Sequence, residues 1–516
     1  MNSIYGDELY CSTEALMKVY EGIKHTDISE EFILPDYLPD IKKIIRVDTT
    51  PKIDGKFVTK GKVDYEGDVV VNILFIDEGN HLRTVTFTVS FADGVEIDGV
   101  VDECIANLVP DPESVICKMV NPRRVSIRMR MDTSVTVWCT RCFEPDYSGE
   151  GASGRIEKAE RSIEVMKLVC AGESGLSASA DLEADGALPQ IGEVISCNVD
   201  MSFYECKGAD GKVLCRGDMP ITVFYSSPSD SGEVYTVLYR KLPLAQVVLA
   251  EGIEDDYTCM ARGSVDSVNV NVAENGFGER RIVELDITYR IYLNCVGKDK
   301  VNVVSDVYAL GKNVKIETEN TTFCRLSRLF SRSFSVSLAQ TRAELNISDA
   351  DGVFAVKADP KILSVEKKAE NGSVLVSGNA KVSAIVKGKD GLTAFDYEMP
   401  FSTELDGGGV GKDFIYNCDT VCMSAKGRFD SENFYTELEL ALNMMILETE
   451  SAEVMKRAEF TDMETVAEAP QMRFYYPDEN ETLWSIGKRF GVPISELEET
   501  NGISDGKLPY VLYIPS

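Results

Sequence analysis

Histidine is almost absent from this sequence, whose 516 residues include only His25 and His81. His81 lies in DEGNHLRT, a stretch typical of a hairpin turn, which favours a solvated turn histidine over a catalytic one. The chain also lacks a Gly-x-Ser-x-Gly elbow and a Walker phosphate loop. Acidic residues are too numerous for counting to exclude a catalytic carboxylate pair, but none stands out from its neighbours. We therefore expect no enzyme activity and no cofactor.

The sequence also lacks a second closely spaced cysteine pair. The 14 cysteines are dispersed apart from CTRC, which contains Cys139 and Cys142. A redox motif of this spacing belongs at a strand-to-helix junction, whereas this one precedes the loop-like FEPDYSGEG. A structural zinc site would need two further ligands. We expect no metal site and mostly reduced, buried cysteines, with a redox or metal role for CTRC as the less favoured alternative.

Basic residues are scarce, since 53 Lys and Arg face 85 Asp and Glu and give a net charge of -32. That charge repels phosphate backbones and anionic lipids, so we expect neither nucleic acid as a partner nor membrane insertion. A partner with a basic surface fits better, and simple solubility is the alternative. The longest apolar runs, such as VVVNILFI, are too short to span a bilayer. The first residues lack the basic and apolar regions of a signal peptide, so no export is expected.

What the chain does contain is an internal repeat. Similar strand-like stretches surround Gly61, Gly217 and Gly378, which are 156 and 161 residues apart, and the first copy needs a few extra residues after its glycine. About forty residues further on, a second set of matching stretches begins near Cys117, Cys259 and Cys422. These end in alternating polar and apolar residues, as in RIVELDITYRIYL, which is typical of a half-buried antiparallel strand.

Regular strands bounded by Gly, Asn and Asp turns predict a β-sandwich for each repeat. The expected fold is mainly β, with three repeated antiparallel β-sandwich-like units followed by a small βααβ domain. Minor helices are expected in STEALMKVYEGI near the N-terminus and in IEKAERSIEVMKLV at 156–169, with linkers near 171–186 and 460–470. The predicted divisions are an N-terminal helical segment at 1–29, repeats at 30–175, 176–320 and 321–465, and a terminal domain at 471–516.

The terminal domain centres on ENETLWSIGKRFGVPISELEETNGI, residues 479–503, which predicts two short helices joined by a turn. The strand-like stretches MRFYYP and VLYIP flank it and complete the order βααβ. Leu483, Ile486 and Phe490 recur at helical spacing and should face a small core. Thr482 or Asn480 can cap the first helix, and Asn501-Gly502 can end the second.

Two family resemblances follow from these stretches. The tripled β unit, with segments such as LPDYLPDIKKIIRVD and VVSDVYALGKNVKIE, resembles the SPOCS domain of spore-coat-associated proteins in clostridia and their relatives. Residues 472–515 closely resemble a LysM domain, a family in which a shallow groove between two loops binds N-acetylglucosamine polymers. The LysM resemblance implies groove residues Asn480, Glu481, Thr482, Leu483, Asn501, Gly502 and Ile503.

This copy departs from the LysM pattern at the groove. Asn480-Glu481 replaces the usual Gly-Asp before Thr482, and Pro509-Tyr510 replaces the usual Gly-Gln near the last strand. Because asparagine replaces a glycine where the backbone approaches the sugar, we expect a narrower groove. A single LysM domain also binds glycans weakly, so recognition of a protein is favoured.

In that interpretation Trp484 is the anchor residue. It follows the inward-facing Leu483 by one position, so it should point towards solvent or the loop, and an exposed tryptophan is typical of binding hot spots. The alternative is that Trp484 packs against the neighbouring strand. Rim contacts are expected from Lys488, Arg489 and Tyr510.

Three SPOCS-like units followed by one LysM domain resemble the architecture of clostridial spore morphogenetic proteins. The resemblance implies a non-enzymatic scaffold or adaptor for spore coat assembly, located in the mother-cell cytoplasm at the forespore surface. Its expected partner is a SpoIVA-like coat ATPase bound through the LysM domain, with self-association through sheet edges as a further contribution. The alternative is a protein that binds peptidoglycan or chitin fragments with the same groove. A hydrolase is less favoured because no catalytic constellation is recognisable.

Overall fold

The computed structural model describes residues 14–142, 144–149, 155–229, 232–347, 349–368, 372–389, 391–406, 410–411, 413–462, 473–478, 480–503 and 507–515. Almost all regular structure in this part of the chain is β-strand, and its two helices lie near the C-terminus. The predicted fold class is confirmed, because three sandwich-like units precede a βααβ domain. No helix among these residues is long and apolar enough to cross a bilayer.

The first unit consists of two three-stranded antiparallel sheets, with strand orders β1-β6-β5 and β2-β3-β4. Side chains alternate between core and surface along β3, as period-2 patterning predicts. Tyr65 and Phe75 from one sheet and Ile127 and Met131 from the other are buried between them. The strands are β1 Glu14–Ile33, β2 Ile41–Thr59, β3 Lys62–Asp77, β4 Leu82–Glu96, β5 Ile105–Asn121 and β6 Arg124–Cys142.

The second and third units repeat this plan, but each contains one pair of longer strands. In the second unit two strands, β9 and β10, replace the single strand β2, and β10 also pairs with β13, which joins the two sheets into one. In the third unit the sheets are β15-β20-β19 and β16-β17-β18.

A short strand, β7 (Asp146–Gly149), links the first two units. The second unit comprises β8 Ile156–Glu183, β9 Glu193–Val199, β10 Ser202–Ala209, β11 Lys212–Ser229, β12 Gly232–Leu249, β13 Thr258–Glu274 and β14 Arg280–Ala309. The third comprises β15 Lys312–Thr341, β16 Gly352–Lys367, β17 Val374–Gly388, β18 Gly391–Leu405, β19 Phe414–Phe429 and β20 Asn433–Asp462.

Both predicted helices outside the LysM domain are wrong. STEALMKVYEGI lies from Glu14 onwards in β1, which pairs with β6 along its whole length, so the described part of the expected helical segment 1–29 is strand. IEKAERSIEVMKLV lies in β8, which pairs with β14. Continuous pairing satisfies the backbone groups of both segments, and this outweighs the helix propensity of their Ala, Glu, Lys and Met residues. Residues 1–13 lie outside the described residues.

Strands also run through two of the expected domain boundaries. β8 continues through 175/176 and β15 through 320/321. The expected linker at 171–186 is strand as far as Glu183, because its small residues alternate and pair with β14. Of the linker expected at 460–470, residues 460–462 end β20, and the remainder lies outside the described residues.

The glycine common to the three units is Gly67 rather than Gly61, together with Gly217 and Gly378. Each lies opposite a bulge in the preceding strand of its unit. A Cβ added to any of the three would overlap a backbone carbonyl oxygen, that of Lys52, Ser202 or Lys361. Gly61 instead has a φ of 79° in the turn between β2 and β3. With Gly67 as the match, the first copy needs no extra residues.

The cysteines matched from the sequence are not equivalent either. Cys422 borders the bulge in β19, whereas Cys117 follows the bulge in β5 and Cys259 precedes the bulge in β13 by several residues. The resemblance between these stretches therefore comes from their alternating pattern and not from a shared cysteine position.

One outward-facing residue from each unit contributes to a shared core between the units. Leu74, Phe224 and Ile385 each lie seven residues after the common glycine, on the central strand of their unit. All three are buried, although their side chains face away from their own sandwich. They join a single cluster that also contains Tyr235 and Ile195. We call Leu74, Phe224 and Ile385 the hub.

Two paired strands in each of the second and third units, β8 with β14 and β15 with β20, extend beyond the sandwiches, and the two pairs pack on each other. β8 pairs with β14 out to Ala309, and β15 pairs with β20 from Lys312 onwards. The two extensions bury Val303, Phe323 and Val454 between them. The strand β7 adds to β20 in parallel. The C-terminal domain contacts the far end of β14.

The C-terminal domain has the predicted order βααβ. Its elements are β21 (Arg473–Tyr475), α1 (Leu483–Phe490), α2 (Ile494–Asn501) and β22 (Leu512–Ile514). Leu483 and Ile486 face the core, as their helical spacing predicts, where they meet Leu497 and Ile514.

Candidate functional site

The loop before α1 is held by the start of the helix itself. Thr482 is the N-cap, and its hydroxyl accepts a hydrogen bond from the Ser485 N–H at 3.2 Å. The Ser485 hydroxyl in turn accepts from the Thr482 N–H at 3.0 Å, which completes a reciprocal capping box. Thr482, predicted as a groove residue, therefore has a structural role, and Leu483 is buried in the core.

Glu481 fastens this loop to β21 and to the end of α1. Its carboxylate accepts hydrogen bonds from the Tyr475 hydroxyl at 2.7 Å and from the Asp478 N–H at 3.0 Å. It also forms an ion pair with Arg489 at 2.8 Å. These contacts, led by the tyrosine hydrogen bond, lower the pKa of Glu481. Glu481 and Arg489 thus satisfy each other within the domain.

The loop after α2 is fixed by Asn501. Its side chain accepts from the Tyr513 N–H at 2.7 Å and donates to the Tyr513 carbonyl at 2.8 Å, so it pairs with the edge of β22 as a neighbouring strand would. Gly502 ends α2 with a φ of 62°, the left-handed conformation predicted for it. Ile503 is half-buried against the core. Among the predicted groove residues, Asn480, Thr482 and Gly502 are the exposed ones.

The sequence interpretation expected Trp484 to point towards solvent or the loop. In the structure it packs against β14 instead. Its indole N–H donates to the Asp306 carboxylate at 2.8 Å, and its ring meets that of Tyr308 edge-to-face at 5.0 Å. Lys488, one turn later on α1, forms an ion pair with the same Asp306. The alternative that Trp484 packs against a strand was therefore correct, although that strand belongs to the second SPOCS-like unit.

Three further contacts complete this interface. The Tyr308 hydroxyl donates to the Val492 carbonyl at 2.8 Å, and burial raises the pKa of Tyr308 to about 12. Gly487 lies so close that an added Cβ would be 2.6 Å from the Tyr308 hydroxyl. Arg155 donates to Ser495 at 3.0 Å. We call the contacts of Trp484, Gly487 and Lys488 with Asp306 and Tyr308 the clamp.

A group of exposed aromatic rings lies away from the clamp. Tyr476 and Tyr510 are 61% and 87% exposed, and their rings meet edge-to-face at 5.7 Å, which joins the loop before α1 to the loop before β22. Phe474, 63% exposed, lies next to Tyr513 across the two-stranded sheet. We call these four residues the aromatic surface. Only Tyr510 was predicted as a site residue, although the alternating aromatics of MRFYYP could have indicated Phe474 and Tyr476.

The histidines and CTRC show no organised site. His81 lies in the β3–β4 turn, as expected, and His25 is an exposed neighbour of Asp132 at 2.7 Å. Cys139 forms a disulfide with Cys104, 35 residues earlier, and not with Cys142. Within the described ranges, no group of three His, Cys, Asp or Glu side chains could hold a metal ion.

Comparison with known families matches three segments of the chain. Residues 40–120 and 190–273 match the family model described as "SipL, SPOCS domain", and residues 479–511 match the LysM domain. The chain carries SPOCS and LysM domains. The third unit is outside the matched segments, but it has the two-sheet plan of the first unit and the same bulge-facing glycine as the first two.

This combination fits a sporulation-related protein with a LysM binding module, similar to SipL, and both domain types are non-catalytic binding domains. No curated protein and no solved structure matches the chain.

Proposed function

We propose that this protein is a non-enzymatic scaffold in spore coat assembly. Its LysM domain docks onto a SpoIVA-like morphogenetic ATPase at the forespore surface, on the mother-cell side. The SPOCS-like units form the body that holds this domain in place.

The single observation that carries the proposal is that several predicted groove residues already make contacts within the LysM domain. Thr482 caps a helix, Leu483 is in the core and Asn501 binds the backbone of β22. A site for an acetamido sugar needs free polar groups that converge on the ligand. Because these side chains are already engaged, protein recognition by another part of the domain is favoured over glycan binding.

The charge of the chain also supports a protein partner. With a net charge of -32, the molecule attracts basic surfaces and increases the rate at which they associate with it. A neutral glycan gains nothing from this field.

The test is a direct binding measurement with the full-length protein. We expect it to bind the SpoIVA-like ATPase encoded in the same genome, with an affinity that weakens as salt is raised. Chitopentaose and a muropeptide, titrated in parallel, should give no signal at roughly millimolar concentration, which corresponds to about -4 kcal/mol. Binding of either glycan without binding of the ATPase would replace the scaffold by a wall-sensing protein.

A further inference from the structure

The clamp removes one face of the LysM domain from contact with partners. Trp484 and Lys488 on α1 both bind Asp306, and the Tyr308 ring and hydroxyl close over Trp484 and the turn at Val492. A partner that used Trp484 as its anchor would have to break a hydrogen bond, an ion pair and an aromatic contact first.

The aromatic surface has the opposite character. Three of its rings, Phe474, Tyr476 and Tyr510, are more than half exposed. Tyrosine and other aromatic side chains lose little conformational entropy on binding and are typical interface anchors. Tyr476 and Tyr510 lie on the two loops that border the expected groove, and Phe474 lies on β21.

The charged groups near this surface include the exposed Asp478, two residues after Tyr476. Lys488 and Arg489 are already paired, with Asp306 and Glu481. Three exposed carboxylates of the domain, by contrast, have no ion-pair partner among the described residues: Asp478, Glu496 and Glu499. Exposed aromatic rings in a domain with unpaired carboxylates suit the guanidinium or ammonium group of an arginine or lysine.

We propose that the aromatic surface of Phe474, Tyr476, Tyr510 and Tyr513 is the partner-binding site of the LysM domain, that it takes a basic segment of a protein, and that the clamp holds the domain so that this surface faces outwards. This inference rests on the proposed function for the identity of the partner but not for the chemistry of the site. Trp484 is then a positioning residue that acts through Asp306.

The experiment compares three full-length variants against the SpoIVA-like ATPase. Tyr476→Ala with Tyr510→Ala removes the exposed pair, and Tyr37→Ala with Tyr204→Ala is the matched control, since those tyrosines are 84% and 51% exposed in the SPOCS-like units. Asp306→Ala opens the clamp while it leaves Trp484 intact. All are made in a Trp138→Phe background, so that Trp484, the other tryptophan of the chain, reports on the clamp by its fluorescence.

We expect the Tyr476/Tyr510 variant to lose about tenfold or more in affinity with unchanged Trp484 emission, and the control to bind normally. Asp306→Ala should shift Trp484 emission to the red without tightening binding. If the Tyr476/Tyr510 variant binds as well as the parent, or if opening the clamp tightens binding, then Trp484 is the anchor and the inference is wrong, while the proposed function stands.

If the parent protein does not bind the ATPase at all, the proposed function fails and a second probe decides the inference. A fluorescent hexa-arginine peptide should then bind more weakly to the Tyr476/Tyr510 variant than to the Tyr37/Tyr204 control. Equal binding to both variants, or chitopentaose binding that depends on Tyr476 and Tyr510, would overturn the assignment of a basic protein segment.

Discussion

Three glycines lie where a bulge in the preceding strand crowds the central strand of each unit. At Gly67, Gly217 and Gly378 the bulge in the preceding strand brings a carbonyl oxygen into the space that a side chain would occupy. The bulge and the glycine are features of one arrangement, since neither could exist without the other. This is why the glycine recurs in all three units while the cysteines nearby do not.

Gly217→Ala should therefore destabilise the protein by roughly 2–4 kcal/mol, because the backbone of Ser202 cannot move aside without breaking its own strand pairing. Gly175→Ala is the matched control, since Gly175 lies in β8 of the same unit with nothing within 4 Å of an added Cβ. Urea denaturation of both variants measures the difference. Equal midpoints would mean that the bulge relaxes freely.

Glu481 connects three elements of the LysM domain, since it binds Tyr475 on β21, the loop at Asp478 and Arg489 on α1. Strands of three residues and helices of eight are too short to be stable alone. At the scale of elements, this domain depends on such links and on its small core more than on intrinsic propensity.

The lowered pKa of Glu481 predicts a pH dependence. A carboxyl whose folded pKa lies below its unfolded value stabilises the fold above the unfolded value, about 4.5, and this stabilisation is lost as pH falls through the folded pKa. Glu481→Gln should lower the midpoint of the unfolding transition, followed by Trp484 fluorescence, at about pH 6. Between about pH 6 and about pH 3 the midpoint of this variant should also decrease less than that of the parent. Glu496→Gln, an exposed α2 residue, is the control. If the unfolding midpoints of the parent and of the Glu481→Gln variant changed with pH in parallel, Glu481 would not be the source of the pH dependence.

The long strands are the other feature at this scale. β8 and β14 remain paired from the sandwich to the clamp, so the same continuous ribbon supports the second unit and carries Asp306 and Tyr308. Sequence patterning suggested a helix and a linker in β8 because Ala, Glu and Lys favour helices and Gly and Ser favour loops. Neither preference withstands pairing along 28 residues.

At the scale of the whole molecule, the hub makes the three units a single body. Leu74, Phe224 and Ile385 are each at most 4% exposed, although each faces outwards from its own sandwich. Polar contacts between units add to it, including the hydrogen bond from the Leu82 N–H to the Tyr235 hydroxyl at 3.1 Å. An outward-facing apolar residue at the same place in every unit is the signature of this association.

Phe224→Ala should cost about 3–5 kcal/mol, because it leaves a cavity where all three units meet. We also expect calorimetry to show a broadened or divided transition, as the units lose part of their mutual support. Phe277→Ala, at a turn residue that is 91% exposed, should leave the transition within about 0.5 kcal/mol of the parent. A single sharp transition of unchanged midpoint in Phe224→Ala would show that the units do not depend on the hub.

The sequence by itself determined the features that depend on local patterns. Alternating strands, their turns, the repeat and the βααβ core with its Thr482 cap and Gly502 terminus could all be read from neighbouring residues, because period-2 and period-3.6 burial and backbone caps are local properties. The tertiary structure alone decided the rest. Whether β1 and β8 were strands depended on partner strands far along the chain. Which glycine was common to the units depended on the bulge opposite it in the preceding strand, and which way Trp484 faced depended on the second unit. Asp306 is 178 residues from Trp484 along the chain, and no local pattern could place it there.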